Sequence, residues 1–198
     1  MTKTSTIALL LMSTSLLLPA AAPAAMQDQA AAAADAANPV VGGAEMLPTR
    51  TIVENASASS DHSTLVAAIK AAGLEQTLSG PGPFTVLAPS NEAFGRLAPG
   101  TMDALLKPEN KETLVKVLTY HVIPGEFSFE QLMAKAHETG AAAQLTTVEG
   151  EPLTLSMEGE ALKISDVNGN ASYIAQPDVK QSNGVIHVVN GVLLPKLN

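Results

Sequence analysis

Asn183-Gly184-Val185-Ile186-His187-Val188-Val189-Asn190-Gly191-Val192-Leu193-Leu194-Pro195 is the stretch whose reading decides the fold. Asn183-Gly184 permits a turn, because glycine takes up positive φ without steric cost. Val185 to Val189 is a near-continuous β-branched run, the pattern of a strand buried on both faces. Pro195, which lacks an N–H, is expected to stop it. His187 shares a strand face with Val185 and Val189, so it reads as a core histidine with satisfied nitrogens or as a metal ligand. No second ligand stands at a recognisable spacing, and the four histidines, His62, His121, His137 and His187, form no close pair.

Upstream the apolar period is two. Leu153, Leu155 and Met157 alternate with Thr154 and Ser156, Leu162 and Ile164 with Lys163 and Ser165, and Asn168-Gly169 sits where a tight turn belongs. Phe84 to Ala88 is an earlier strand between Gly82-Pro83 and Pro89. Before and between these the period is helical. Thr51 to Ala58 is a short helix. Asp61 leads a segment with Leu65, Ile69 and Ala72 on one stripe, ending at Gly73, which suits a left-handed cap. Thr101 opens a helix expected to bury Leu105 and Leu106. Glu109 to Thr119 groups Leu114, Val117 and Leu118 after Pro108, and Ser128 with Gln131 has capping-box spacing. One early strand, a late meander and helices between them predict an α+β domain with helices packed around a small sheet.

The chain has 198 residues, 46% hydrophobic, enough to bury one core. It contains no cysteine, which removes disulfides, thiolate metal sites and a cysteine nucleophile. A net charge of −8 repels phosphate backbones, so nucleic acid is not an expected partner. Aromatic residues are 3% with no Trp, too few to build stacking platforms for bases or sugars. Residues 1–24 carry Lys3, the apolar run Ile7 to Leu18 and small residues through Ala22-Pro23-Ala24, the form of a secretory signal peptide. The apolar run is about a dozen residues, short of the roughly twenty that cross a bilayer. The mature chain is therefore expected outside the cytoplasm, extracellular or periplasmic, with no integral membrane segment. Residues 25–43 are alanine-rich and read as a tether, leaving 44–198 as the domain.

Three segments together resemble the fasciclin (FAS1) family: Phe84-Thr85-Val86-Leu87-Ala88-Pro89-Ser90-Asn91-Glu92-Ala93-Phe94, then Leu118-Thr119-Tyr120-His121-Val122-Ile123-Pro124-Gly125, then the stretch from Asn183 to Pro195. The resemblance covers roughly Ala44 to Lys196 and is nearest in kind to small secreted single-domain bacterial members. In the first segment Ser90 is placed to cap a short helix carrying Ala93 and Phe94. The resemblance implies an α+β FAS1 domain and, in animal members, integrin-mediated adhesion linked to the tyrosine-histidine motif, matched here by Tyr120 and His121. Those two residues end a helix and begin an extended segment, so their side chains are expected on opposite faces with one inside; a hydrogen-bonded core ring and a partner contact are both open readings. Gln176-Pro177-Asp178-Val179-Lys180 resembles a Glu-Pro-Asp-Ile-Met adhesion motif of an animal member, keeping only Pro177 and Asp178; the alternative is a strand-start proline beside an exposed acid.

No catalytic constellation is present: there is no nucleophile elbow, metalloprotease motif, phosphate loop or paired-carboxylate motif, although Ser90, Asp178 and Glu158 are the residues an imagined triad would draw on. No cofactor or metal is called for. Asn55-Ala56-Ser57 and Asn170-Ala171-Ser172 match the glycosylation pattern. The function expected first is a non-enzymatic adhesion or interaction module touching a cell-surface or matrix protein, or a second copy of itself. The alternative is a secreted carrier of an apolar small molecule, since some family members bind carotenoids, with Met102, Met133 and Met157 as pliant groove residues.

Overall fold

The structure, a computed structural model, describes residues 38–138 and 142–196. The expected signal peptide and the first part of the expected tether lie outside the described residues. The rest of the tether does not behave as one. Val40–Val41 (β1) and Ala44–Glu45 (β2) pair as an antiparallel ribbon around Gly42-Gly43, both at positive φ, and Val41 and Met46 are buried in the core. The packed domain therefore begins before Ala44. Two-residue strands are too short to show a period in the sequence.

Local chemistry sets the helices. Thr51 and Glu54 form a reciprocal capping box opening α1 (Ile52–Ala58). After α2 (Ser63–Ala72) the chain turns at Gly73, φ 77°, the expected left-handed cap, into α3 (Glu75–Leu78). β3 (Phe84–Pro89) runs into α4 (Asn91–Gly95), whose Ala93 N–H donates to Ser90 Oγ at 3.3 Å. α5 (Thr101–Leu105) buries Leu105 but leaves Leu106, past its end, 36% exposed, so only one of the two expected leucines is interior. A 3₁₀ turn at Pro108–Asn110 leads into α6 (Lys111–Tyr120), then β4 (Val122–Pro124). α7 (Phe129–Glu138) starts with the expected exchange: Ser128 N–H donates to Gln131 Oε1 and Gln131 N–H to Ser128 Oγ.

β5 (Ala143–Thr146), β6 (Pro152–Glu158), β7 (Ala161–Ser165), β8 (Ala171–Gln181) and β9 (Gly184–Val189) complete a seven-stranded sheet ordered β4-β3-β9-β8-β7-β6-β5, in which β3 and β9 run parallel and every other pair antiparallel. The sheet curls: Val148 N–H, after β5, donates to the Val122 carbonyl of the opposite edge strand at 2.8 Å. β9 enters the sheet at Gly184, where a Cβ would stand 1.9 Å from the Phe84 carbonyl oxygen, so only glycine fits that pairing. The strand ends at Val189, six residues before Pro195. Asn190 ends it, because its side-chain Oδ1, in place of a backbone carbonyl, accepts the Tyr173 N–H at 3.0 Å.

The central strands feed two cores by alternation. Val86, Ala88, Ile186 and Val188 face the helices, against Ile52, Leu65, Ile69, Leu114 and Val117. Leu87 and Val189 face the other way, against Tyr120, Ile123, Leu132, Leu153, Ile164 and Leu193. The α+β arrangement expected from the sequence is the observed one, and all three recognisable segments contribute to the second core.

Candidate functional site

Tyr120 ends α6 at 0% exposure and His121 follows at 3%. The expectation that one ring faces outward is corrected: both are interior. His121 caps the helix in α-helical geometry, so the chain has not yet entered extended alternation when its side chain leaves the backbone. The Tyr120 hydroxyl donates to the Pro152 carbonyl at 3.0 Å and accepts the Val167 N–H at 3.3 Å. His121 Nδ1–H donates to the Val117 carbonyl at 2.8 Å, and Nε2 accepts the Leu193 N–H at 3.1 Å. Burial pushes the phenol up to about 12 and the imidazole down to about 4. These two rings tie α6 to the ends of strands and loops that are distant in sequence. A partner at the folded surface does not reach them.

Pro177 and Asp178 are both exposed, at an irregularity in the middle of β8 where the register to β9 shifts between Gln176 and Val179. Pro177 is thus a mid-strand bulge residue and not a strand start; the bulge accommodates its missing N–H. Asp178 has φ 54°, the left-handed region that Asp tolerates better than most residues. Its carboxylate accepts the Phe129 N–H at 2.8 Å and so caps α7 from another element. Its own N–H donates to His187 Nδ1 at 3.2 Å, and His187 Nε2–H donates to the Phe127 carbonyl at 2.9 Å. His187 is fully buried with both nitrogens satisfied, and burial holds it below the usual imidazole range. The candidate residues therefore form two networks: Tyr120 and His121 with Pro152, Val167 and Leu193, and Asp178 with His187 and the start of α7.

The groups considered for catalysis are engaged in structure. Ser90 Oγ is a helix cap. Glu158 accepts from the Tyr173 hydroxyl at 2.8 Å and pairs with Lys163 at 3.2 Å, which together hold its carboxyl below the usual range. Among the described residues no group of three or more His, Cys, Asp or Glu side chains could hold a metal ion. Met102 packs against the helical core, Met133 and Met157 against the other, so the three do not line one groove. Of the two glycosylation patterns, Asn55 is buried and bonded through its side chain to Leu47 and Gln181, whereas Asn170 is exposed. A cleft of about 370 Å³ between the N-terminal ribbon, α4 and β8, with Asp61, Glu92, Gln176 and Asn190 on its walls, was not foreseen. Its walls come from five separate segments, and no local pattern in the sequence joins them.

Residues 60–195 match the family model of the fasciclin domain. Protein sll1483 of Synechocystis sp. is 45% identical over 158 residues, 80% of this chain and 81% of that protein. The transforming growth factor-beta-induced protein ig-h3 of Sus scrofa is 33% identical over 151 residues, which are 76% of this chain and 20% of that much longer protein. The solved FAS1 domain pair from the insect cell adhesion molecule fasciclin I superposes with a TM-score of 0.64 at 19% identity, over 75% of this chain and 51% of that one, a likeness of fold. With the family model spanning the seven-stranded sheet and all three signature segments, the chain belongs to the fasciclin domain family.

Proposed function

We propose that this chain is an exported, non-enzymatic interaction module that works by surface contact with a cell-surface or matrix partner or with a second copy of itself. The observation that carries the reading is the fasciclin match over residues 60–195, joined to a site chemistry in which the buried signature polar side chains, Thr85, Tyr120, His121, Asn183 and His187, are engaged in holding the fold together. Fasciclin I, which shares the fold, is a cell adhesion molecule by name. The apolar run Ile7 to Leu18 supports export. Within the candidate set, the exposed pair Pro177 and Asp178 supplies the contact, while Tyr120 and His121 hold the scaffold that presents it.

The test is attachment of beads coated with the full chain to cells of the producing organism. Native protein is expected to hold beads that heat-denatured protein does not, and Asp178→Asn, which keeps the helix cap and removes the charge, is expected to weaken attachment. Equal attachment by native and denatured coats overturns adhesion; undiminished attachment by the variant removes Asp178 from the contact.

A further inference from the structure

His62 ends a 3₁₀ turn, Ser60–His62, and is 3% exposed. Its Nδ1 lies 3.0 Å from Ser59 Oγ, but its Nε2 is buried without a hydrogen-bond partner among the described residues. The ring borders a small cavity of about 10 Å³ whose other walls are aliphatic: Val41 and Met46 from the N-terminal ribbon, Ala56 from α1, Ala88 from β3, Val179 from β8 and Val188 from β9. None of these wall residues titrates. Two groups favour the cation, the Ala88 carbonyl, which does not complete a hydrogen bond, and the exposed Asp61 carboxylate next in the chain; burial outweighs both and holds the imidazole below its ordinary range.

The walls of that cavity are not equally fixed. α1, β3, β8 and β9 belong to the sheet and its helical layer, whereas the ribbon lies outside the seven-stranded sheet. Among the described residues, residues 38–46 are joined to the chain that follows them by three hydrogen bonds. Ser60 N–H and Ser60 Oγ both donate to the Gly42 carbonyl, at 3.2 and 2.8 Å, and Gln176 Nε2 donates to the Val40 carbonyl at 3.4 Å. Two of the three converge on the turn that carries His62. The ribbon also approaches that turn too closely for a side chain: a Cβ on Gly42 would stand 2.4 Å from Ser59 Oγ and 2.6 Å from the Asp61 nitrogen.

We propose that residues 40–46 are an acid-sensitive cover over His62: a proton taken up at Nε2 places a cation in the apolar cavity, and the ribbon lifts so that water can hydrate it. An unpaired buried charge is far more costly than an unpaired neutral nitrogen, and the ribbon is the wall with the fewest bonds to break. The device is independent of the adhesion reading. Once open, the ring recovers its ordinary proton affinity, so acidification to pH 5 favours the open form by up to about thirtyfold over neutral pH.

Hydrogen exchange on the full chain at pH 7.5 and pH 5, corrected for intrinsic rates, tests this. The amides of residues 40–46 are expected to lose protection at pH 5, by up to about thirtyfold, and His62→Gln and His62→Leu are expected to reduce that loss below twofold. Unchanged ribbon protection in the wild type, or the same loss in either folded variant, overturns the proposal. Should neither variant fold, NMR titration of the wild type decides: the Val41 amide and the His62 ring must share one midpoint, and separate midpoints overturn the cover.

Discussion

Leu193 and His121, 72 residues apart in sequence, meet through a hydrogen bond in which the Leu193 N–H donates to Nε2 at 3.1 Å while Nδ1–H of the same ring donates to the Val117 carbonyl. One partner offers a proton and the other accepts one, so only the neutral ring protonated at Nδ1 satisfies both. The bond fixes the chain after β9 against the end of α6.

Acid is therefore expected to destabilise the domain. The folded imidazole titrates at about 4, and in an unfolded chain at roughly 6.5. Between those values the unfolded form binds the extra proton, so stability is complete above the upper value and is lost as pH falls through the window. The loss from His121 is on the order of 3 kcal/mol, and His62 and His187, lowered by burial in the same direction, add to it. Urea unfolding at pH 7.5 and pH 4.5 should show a lower midpoint in acid, with a smaller acid shift in His121→Phe. A midpoint indifferent to pH, or an equal shift in the variant, contradicts the assignment.

Asn55 matches a glycosylation pattern yet sits fully buried in α1. Its Nδ2 donates to the Leu47 carbonyl at 2.7 Å and to Gln181 Oε1, and its Oδ1 accepts the Leu47 N–H at 3.2 Å. In a glycosylating host, intact-mass analysis of the folded protein should find glycan on Asn170 and none on Asn55. Asn55→Ala should cost about 3 kcal/mol by leaving buried partners unpaired, read as a lower urea midpoint, while Asn170→Ala costs far less.

Much of this fold is written in short spacings. Thr51 with Glu54, Ser90 before Ala93, Gly73 after Ala72 and Ser128 with Gln131 each complete their motif within a few residues, so the sequence is enough to place them. The candidate site is less legible because its partners are remote. Pro152, Val167 and Leu193 reach Tyr120 and His121 from 32 to 72 residues away, and Asp178 caps a helix that begins 49 residues earlier in the chain. The β8 bulge that turns Pro177 into a mid-strand residue depends on register with β9, which alternation within β8 alone does not encode.

Asp178→Asn is expected to be nearly silent in stability. Asn tolerates left-handed φ as Asp does, and its Oδ1 can accept the Phe129 N–H; only the favourable charge at the start of α7 is lost, about 0.3–1 kcal/mol. Asp178→Ala loses both the cap and the side chain suited to φ 54°, and should cost about 1–2 kcal/mol. Thermal unfolding of the two variants side by side checks the order, and a destabilisation as large in Asn as in Ala would show that the charge, and not the acceptor, is what matters there.

Asp166 should respond to the same change in the opposite way. Its carboxylate, buried at the β7–β8 turn, is ringed by donors: Oδ1 accepts the Asn168 and Asn170 N–H groups, each at 2.9 Å, and Oδ2 accepts Asn170 Nδ2 at 2.7 Å and the Leu194 N–H at 2.9 Å. Either orientation of an amide would turn one of those oxygens into a donor facing two donors. Hydrogen bonds to a charged group are worth about 1.5–3 kcal/mol each, so Asp166→Asn should cost at least about 2 kcal/mol, close to Asp166→Ala despite its nearly identical shape. The damage should spread beyond the turn, because Val167 N–H holds the Tyr120 hydroxyl and Leu194 follows the residue that holds His121. Fluorescence-monitored urea unfolding of the two Asp166 variants and Asp178→Asn would reveal the contrast, and an Asp166→Asn protein as stable as wild type would mean that the donor ring around Asp166 does not govern the turn.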